Sequence, residues 1–135
     1  MTEIESALTD LLAKTKVTAE LGLRLVSASG GSCIVTVPLL PSNERPGGIM
    51  AGHVLVAAAD VAAWLAIKTL LGLEDASVTS DMHTAFVRGA SSAISCRADV
   101  IRCGGRLITV GATTSDEGGK TLARHTITYA RRSTT

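Results

Sequence analysis

The residue whose type and position could do chemistry most directly is Asp60. It is the only formal charge between Arg45 and Lys68, and it lies in the apolar run 49–67. A lone carboxyl group in an apolar surround loses solvation and becomes harder to ionise unless hydrogen-bond donors compensate. Such a group is a candidate general base or nucleophile. The alternative is an Asp60 that only hydrogen-bonds a neighbouring loop or lies at a subunit contact, since Asp is unfavourable inside a helix and some interaction must offset its cost.

Two other side chains would share a helical stripe with Asp60. His53 precedes it by seven residues, which is close to two turns and roughly 10 Å along a helix axis. Trp64 follows it by four residues and extends the same stripe. His53 would also lie in the first turn, where the positive end of the helix dipole disfavours a charged imidazole. Two interpretations of His53 stay open: a neutral hydrogen-bonding group beside the site, or a polar residue that merely starts the helix.

The segment PSNERPGGIMAG leads into this helix and contains Gly48, Ala51 and Gly52. Segments rich in Gly and Pro let the backbone approach a ligand or another chain closely. A carbonyl oxygen placed at the helix start would meet free backbone N–H donors, which is the arrangement that stabilises an oxyanion. Many helices start with Gly, so this spacing by itself is not specific.

Polar residues alternate along the strand predicted after the helix. Thr79, Asp81 and His83 would share one face of that strand, and Ser80 and Met82 would share the other. A hydroxyl group at Thr79 could orient a water molecule. The same pattern also fits the polar outer face of an edge strand, and the residues alone do not decide between the two.

The charges of the chain are nearly balanced, because 13 Lys plus Arg against 12 Asp plus Glu leave a net charge of +1. A near-neutral chain has no global field to hold nucleic acid, so we exclude that class of partner. Arg88, Arg102 and Arg106 lie at strand ends and in a hairpin. Such arginines usually face solvent, but a fold that groups them would bind phosphates through forked hydrogen bonds.

The cysteines and the N-terminus indicate a reduced, cytoplasmic protein. The 3 cysteines have neither CxxC nor CxxH spacing, which argues against a disulfide framework and a zinc site. The start, MTEIESALTDLLAK, lacks the basic residues and apolar run of a signal peptide. The run 49–67 approaches the length of a membrane span, but a carboxylate at its centre would be costly in a bilayer. We therefore expect no metal and no membrane.

The elements that must position these residues can be predicted from periodicity. A capping box at Thr2 and Glu5 starts a short helix that ends near Thr15. Residues 18–28 and 33–39 read as a hairpin, and 52–71 as a helix that is apolar on nearly every face. Strands follow at 78–88, 93–102, 107–114 and 121–131 as a four-strand meander. The predicted fold is α+β, one domain over 1–135 with an N-terminal helix in 1–16 and a core in 17–131, in which a curved antiparallel sheet wraps the long helix.

Four motifs in this order resemble the hotdog-fold acyl-CoA thioesterases, in particular the phenylacetate-pathway (PaaI-like) branch. They are RPGGIMAGHVLVAAADVAAW, VTSDMHTAFVRGA, RCGGRL and ARHTITYARR, and the resemblance covers roughly residues 17–130. It implies a hotdog fold, homodimers whose sheets join edge to edge, often a further pairing into tetramers, and active sites between subunits. It also implies an acyl-CoA substrate and no separate cofactor.

The resemblance implies a role for particular residues. Asp60 would attack the thioester or activate water, the Gly52 N–H would polarise the thioester carbonyl, and Thr79, from the partner chain, would position water. Arg88, Gly105 and Arg106 match positions near the CoA nucleotide. The residues expected to contact substrate are Gly48, Ala51, His53, Trp64, His83, Arg88, Gly105 and Arg106.

The chain departs from the family pattern at the helix start. Many relatives read His-Gly-Gly there, whereas this chain reads Ala51-Gly52-His53, so carbonyl activation by a His at position 51 is not available. A sub-branch that reads Ser-Gly-Pro also lacks this His. Two alternatives to a thioesterase therefore stay open: a non-catalytic acyl-CoA-binding dimer, and a hotdog hydratase or dehydratase that uses a His and a carboxylate.

Overall fold

The structure is a computed structural model that describes residues 1–132. The last three residues of the predicted domain, 133–135, lie outside this range. The helices are α1 (Glu3–Lys14), α2 (Lys16–Leu21) and α3 (Gly52–Leu71). The strands are β1 (Arg24–Ser29), β2 (Ser32–Val37), β3 (Glu44–Arg45), β4 (Ile49–Met50), β5 (Val78–Phe86), β6 (Ile94–Cys103), β7 (Leu107–Asp116) and β8 (Thr121–Ala130). A long helix against a six-stranded antiparallel sheet confirms the predicted α+β hotdog architecture.

Helix α1 begins with the capping box that its sequence predicts. The Thr2 hydroxyl accepts from the Glu5 N–H at 3.2 Å, and the Glu5 carboxylate accepts from the Thr2 N–H at 2.9 Å. The other oxygen of Glu5 accepts from the backbone N–H of Ala28 in β1 at 3.0 Å. That N–H is not used in the ladder with β2, so α1 occupies the outer side of β1.

The predicted strand over 18–28 is wrong in its first half, where the chain forms α2. The alternation of Leu21, Leu23 and Leu25 fits a strand, but Leu21 ends α2, Leu23 lies in the connection, and Leu25 belongs to β1. Gly22 adopts the left-handed conformation (φ 68°) that ends α2 and redirects the chain into β1. The buried hydroxyl of Thr18 donates to the carbonyl oxygens of Leu12 and Thr15 and so fastens α2 to the end of α1.

The sheet has the strand order β1-β2-β6-β7-β8-β5. The predicted four-strand meander is therefore wrong at its first member, because β5 pairs with β8 and not with its sequence neighbour β6. Strands β6, β7 and β8 do form consecutive hairpins, and β6 pairs with β2 to join the two halves of the chain. Strand β5 is left at a free edge of the sheet.

Helix α3 occupies the 20 residues that were predicted for it. Ten of its 20 residues are buried and only Gly52, His53 and Leu70 are exposed, which explains why its sequence is apolar on nearly every face. By length and hydropathy α3 would also pass as a membrane span, but it is the core helix of this domain. One stripe is only half covered, and its members are Val56, Ala57, Asp60, Val61 and Trp64, with His53 exposed at its start.

The glycine-rich segment before α3 is more ordered than a loop, since it contains the short hairpin β3–β4. Buried Asn43 organises it through its amide, which accepts from the Leu40 N–H at 2.9 Å and donates to the Pro38 carbonyl at 2.9 Å. The carbonyl of Asn43 in turn accepts from the N–H of Ala51, the N-cap of α3, at 2.8 Å. These bonds fix the position of the helix start.

Candidate active site

The Asp60 carboxylate is held by two hydroxyl groups of the same chain. Thr79 at the start of β5 donates to Oδ1 at 2.8 Å, and Tyr129 near the end of β8 donates to Oδ1 at 3.0 Å. These donors offset the cost of an Asp inside a helix. The resemblance had implied a Thr79 from the partner chain, but here Thr79 and Asp60 of one chain are already bonded.

The two oxygens of Asp60 have different surroundings. Both hydroxyl groups point at Oδ1, and within residues 1–132 no group donates to Oδ2. Burial raises the pKa of the Tyr129 phenol well above its usual value; the hydrogen bond with Thr79 opposes this rise, and the neighbouring Asp60 carboxylate adds to it. Tyr129 therefore stays a protonated donor, and Oδ2 is the oxygen left for a reacting group.

The prediction that Thr79 shares a face with Asp81 and His83 is wrong. The ladder between β5 and β8 is irregular between Thr79 and Asp81, and the extra residue reverses the alternation. Thr79 pairs with buried Tyr129, whereas His83 pairs with exposed Thr126, so His83 points to the outer side of the sheet. Within one chain His83 is thus separated from Asp60 by the sheet.

Gly52 is the first residue of α3 and lines a cleft of about 310 Å³. Its lining includes the apolar side chains of Leu55 and Phe86 and the charged side chains of Arg45 and Arg88. As the first helical residue, Gly52 has an N–H that no intrahelical carbonyl can accept from. A carbonyl oxygen in this cleft would therefore meet a free donor at the positive end of the helix dipole.

One chain does not bring Gly52 and Asp60 together. They are eight residues apart in α3, which places them roughly 12 Å apart along the axis. Gly52 lies against Phe86 at one end of β5, and Asp60 lies against Thr79 at the other. The candidate oxyanion donor and the candidate carboxylate of a single chain are therefore at separate ends of the edge strand.

The other residues of the helix start and stripe are placed as follows. His53 is exposed in the first turn of α3, and Gly48 has the positive φ of 74° that its turn before β4 requires. Half-exposed Trp64 lies under the ammonium group of Lys68, whose Nζ is 5.2 Å from the ring centroid. Buried Lys68 also donates to the carbonyl oxygens of Leu73 and Asp75, so it closes the C-terminal end of α3.

The arginines form two groups and not one. Arg102 and Arg106 line a cleft of about 430 Å³ at the β6–β7 hairpin, together with Gly105. Arg88 follows β5, where its Nε donates to the Thr121 carbonyl at 3.1 Å. The hairpin adjoins the Val78 end of β5, so it is roughly 26 Å from the Arg88 end at the usual rise of a strand.

Within residues 1–132, no group of three or more His, Cys, Asp or Glu side chains is arranged to hold an ion. Cys33 and Cys96 are buried free thiols, and burial raises the pKa of Cys33 to about 12 and that of Cys96 to about 11. Neither thiol is a nucleophile at neutral pH.

Tyr129 is the site residue that sequence reasoning missed. The alternation of apolar and polar residues in the last strand predicts that Tyr129 faces inward, but it does not identify the residue that its hydroxyl group bonds. Only the pairing of β8 with β5 places it opposite Thr79 and next to Asp60. Arg45, which lines the cleft at Gly52, was likewise not predicted.

Several solved structures have this fold. A conserved protein of Pseudomonas aeruginosa superposes with a TM-score of 0.85 at 27% identity, covering 90% of this chain and 98% of its own. A thioesterase from Haemophilus influenzae gives a TM-score of 0.87 at 22% identity, with 96% and 91% covered. The PaaI protein of the E. coli phenylacetic acid degradation operon gives 0.86 at 18% identity, with 96% and 94% covered. At such identities the last two show a shared fold.

Sequence comparison is consistent with the fold. A search of the curated proteins gave no match. The family model of the thioesterase superfamily, in contrast, matches residues 47–123, which is more than half of the chain and includes both Gly52 and Asp60. The chain therefore belongs to the thioesterase superfamily.

Proposed function

We propose that this protein is an acyl-CoA thioesterase that hydrolyses a small, medium or aromatic acyl-CoA to the free acid and CoA. The observation that carries the proposal is the half-buried Asp60 carboxylate on an open helix stripe: two hydroxyl groups hold Oδ1, and none of residues 1–132 donates to Oδ2. A positioned carboxylate of this kind either attacks the thioester carbon or takes a proton from an attacking water. In both cases water supplies the oxygen of the product acid and CoA leaves as the thiol.

The proposed active site is completed by a second copy of the chain. Attack requires reacting atoms about 3–3.5 Å apart, whereas Gly52 and Asp60 of one chain lie roughly 12 Å apart along α3. Strand β5 is a free edge that can pair with β5 of another copy. In an antiparallel pair centred near Met82, the Asp60 end of one chain would lie beside the Gly52 end of its partner.

The same pairing suggests how CoA would be bound. It would bring the hairpin with Gly105 and Arg106 toward the Arg88 end of the partner's β5, and so combine the two groups of arginines. Guanidinium groups bind phosphates bidentately, which suits the CoA nucleotide. We propose a homodimer with two such sites, and a further pairing of dimers into a tetramer on the basis of the family resemblance.

The acyl group is proposed to lie along the open stripe of α3. Val56, Ala57 and Val61 would offer an apolar surface next to Asp60, with Trp64 one turn beyond it. His53, Ala51 and Gly48 would border the thioester end of this slot. No metal or further cofactor is needed for this chemistry. A cytoplasmic location is proposed because Cys103 is an exposed free thiol.

The proposal is tested by following free thiol release from short, medium and aromatic acyl-CoAs. Turnover should fall about 100-fold or more in Asp60→Asn, the size expected for losing a positioned base or nucleophile. Asp10→Asn, the same change at an exposed position of α1, is the matched control and should leave turnover unchanged. A thermal melt shows whether each variant is folded.

One observation favours a second function, acyl-CoA binding without turnover. Ala51 occupies the position where many relatives carry a His, and its methyl group cannot polarise a carbonyl. If the binding function is right, the native protein should bind acyl-CoA in calorimetry, release no thiol above background, and keep its affinity in Asp60→Asn. That result would replace the thioesterase proposal.

A further inference from the structure

The hydroxyl group of Tyr129 is bonded twice to the same residue. It lies 3.0 Å from the backbone carbonyl oxygen of Asp60 and 3.0 Å from Oδ1 of its carboxylate. The Tyr129 side chain is only 3% exposed, and it comes from β8, an element that lies 69 positions further along the chain. One proton is thus shared between the main chain and the side chain of Asp60, which ties the carboxylate to the helix backbone.

We propose that Tyr129 is a positioning residue for thioester hydrolysis, acting by fixing the rotation of the Asp60 carboxylate so that Oδ2 faces the reacting group. The inference rests on the proposed function. Tyr129 would not touch the substrate, since its hydroxyl group reaches only the held side of the carboxylate.

The need for such a residue follows from the torsion of the Asp side chain. Rotation of a carboxylate about its bond to Cβ is broad and nearly two-fold, so an unrestrained Asp60 would exchange its two oxygens and spread over many orientations. A reaction that requires a near-attack geometry loses rate when its reacting atom is spread in this way. Two donors on Oδ1 remove that freedom.

The two donors differ in how firmly they are held. Thr79 lies on the exposed edge strand and its hydroxyl group can rotate, whereas the Tyr129 ring is packed in the core with a fixed direction for its O–H. Because burial keeps the phenol protonated, it donates throughout the working pH range and does not act as an acid or base. Tyr129 is therefore suited to hold the carboxylate while taking no proton from it.

The test is Tyr129→Phe, which removes the hydroxyl group and keeps the ring. We expect kcat for acyl-CoA hydrolysis to fall about tenfold or more while KM stays within about threefold, because orientation and not substrate affinity is lost. Thr18→Val is the control, since it removes another buried hydroxyl group that bonds only the carbonyl oxygens of Leu12 and Thr15. It should lower the melting temperature and leave kcat unchanged.

A double-mutant cycle with Thr79→Val makes the test specific. Both hydroxyl groups donate to one oxygen, so the loss of kcat in the double variant should differ from the product of the two single losses. An unchanged kcat in Tyr129→Phe, or a loss matched by Thr18→Val at equal destabilisation, would overturn the inference while wild-type turnover upholds the proposed function. Absence of turnover in the wild type on every acyl-CoA would instead remove the proposed function, and this inference with it.

Discussion

The ring of Phe86 packs against one side of Gly52: its nearest carbon lies 3.4 Å from the position that a β-carbon on Gly52 would take. Phe86 ends the edge strand and Gly52 begins the core helix, so this contact sets the width of the cleft at the helix start. A β-carbon at position 52 would make an ordinary van der Waals contact with the ring, and the N–H of this first helical residue has no intrahelical acceptor.

Gly52→Pro should remove the backbone N–H at position 52 and leave helix α3 intact. Proline is favoured at the first position of a helix, and Ala51 before it already has the extended conformation (φ −61°, ψ 138°) that proline requires. The variant should fold, whereas acyl-CoA turnover should fall about 10²- to 10³-fold with the loss of an oxyanion donor. Gly52→Ala, which keeps the N–H, is the control. Turnover is measured by steady-state kinetics, and thermal melts show that both variants fold. Equal losses of turnover in the two variants would mean that activity depends on the contact with Phe86 and not on the N–H.

Mixed dimers should recover activity that neither parent has. If each site takes Asp60 from one chain and Gly52 from the other, a dimer of Asp60→Asn with Gly52→Pro contains one intact site. Random pairing should then give about one quarter of wild-type turnover, since half of the dimers are mixed and each has one working site of two. The measurement is thiol release by differently tagged, co-expressed variants: the unselected mixture should give this quarter, and mixed dimers purified through both tags should give about half of wild-type turnover. If the purified mixed dimer stays inactive, each site takes both Asp60 and the Gly52 N–H from the same chain.

His125 should make the fold sensitive to acid. Its imidazole is buried between the hydroxyl groups of Thr84 and Thr114, at 2.9 and 2.8 Å, and burial lowers its pKa from 6.5 to about 4. Below pH 6.5 the unfolded chain therefore binds a proton that the folded chain does not. The stability that uncharged His125 contributes to the fold is complete above pH 6.5 and is lost as the pH falls toward 4.

The size of this acid effect can be stated for a fixed pH change. Between pH 7.5 and 5, the free energy of unfolding should fall by about 2 kcal/mol, because each pH unit below the ordinary pKa costs about 1.4 kcal/mol. Urea unfolding at the two pH values measures it. His125→Leu, which has no titrating group there, should be less stable at pH 7.5 but should lose about 2 kcal/mol less on acidification; an equal loss would assign the effect to other groups.

Lys68→Met should loosen the C-terminal end of the core helix. The change removes both hydrogen bonds from Lys68 Nζ and leaves the carbonyl oxygens of Leu73 and Asp75 without that donor. We expect a loss of about 1–3 kcal/mol in the free energy of unfolding. Trp64 is the only tryptophan of the chain, so its fluorescence should also change when the ammonium group over its ring is removed. Exposed Lys14→Met serves as the control and should change neither quantity.

The long helix was predictable because several independent signals agree on it. Its sequence is apolar on nearly every face, a glycine-rich segment precedes it, and Gly72 follows it with the positive φ of 99° that ends the helix. The capping box of Thr2 and Glu5 is equally local, and it too was confirmed. These features depend on neighbours within a few residues, which is the range over which sequence patterns are informative.

The errors arose where position depends on distant parts of the chain. Nothing within residues 78–88 shows that β5 pairs with β8, and without that pairing neither the irregularity after Thr79 nor the contact of Tyr129 with Asp60 can be deduced. Asp60 could be selected as a candidate site residue because it is a single charge in an apolar run. The geometry of its carboxylate was not, because both donors come from strands that only the folded sheet brings together.

In the described part of the chain, helix α1 covers the outer side of β1, so the sheet keeps one edge, β5, on which another strand can be added. Strand β1 is short, its ladder is irregular between Leu25 and Ser27, and Glu5 of α1 takes the outward N–H of Ala28. Within residues 1–132, β5 is the remaining open edge, so two copies joined there, as proposed, would leave no edge for a third. In the proposed dimer, helix α1 would therefore limit edge-to-edge growth of the sheet to two copies and prevent fibres.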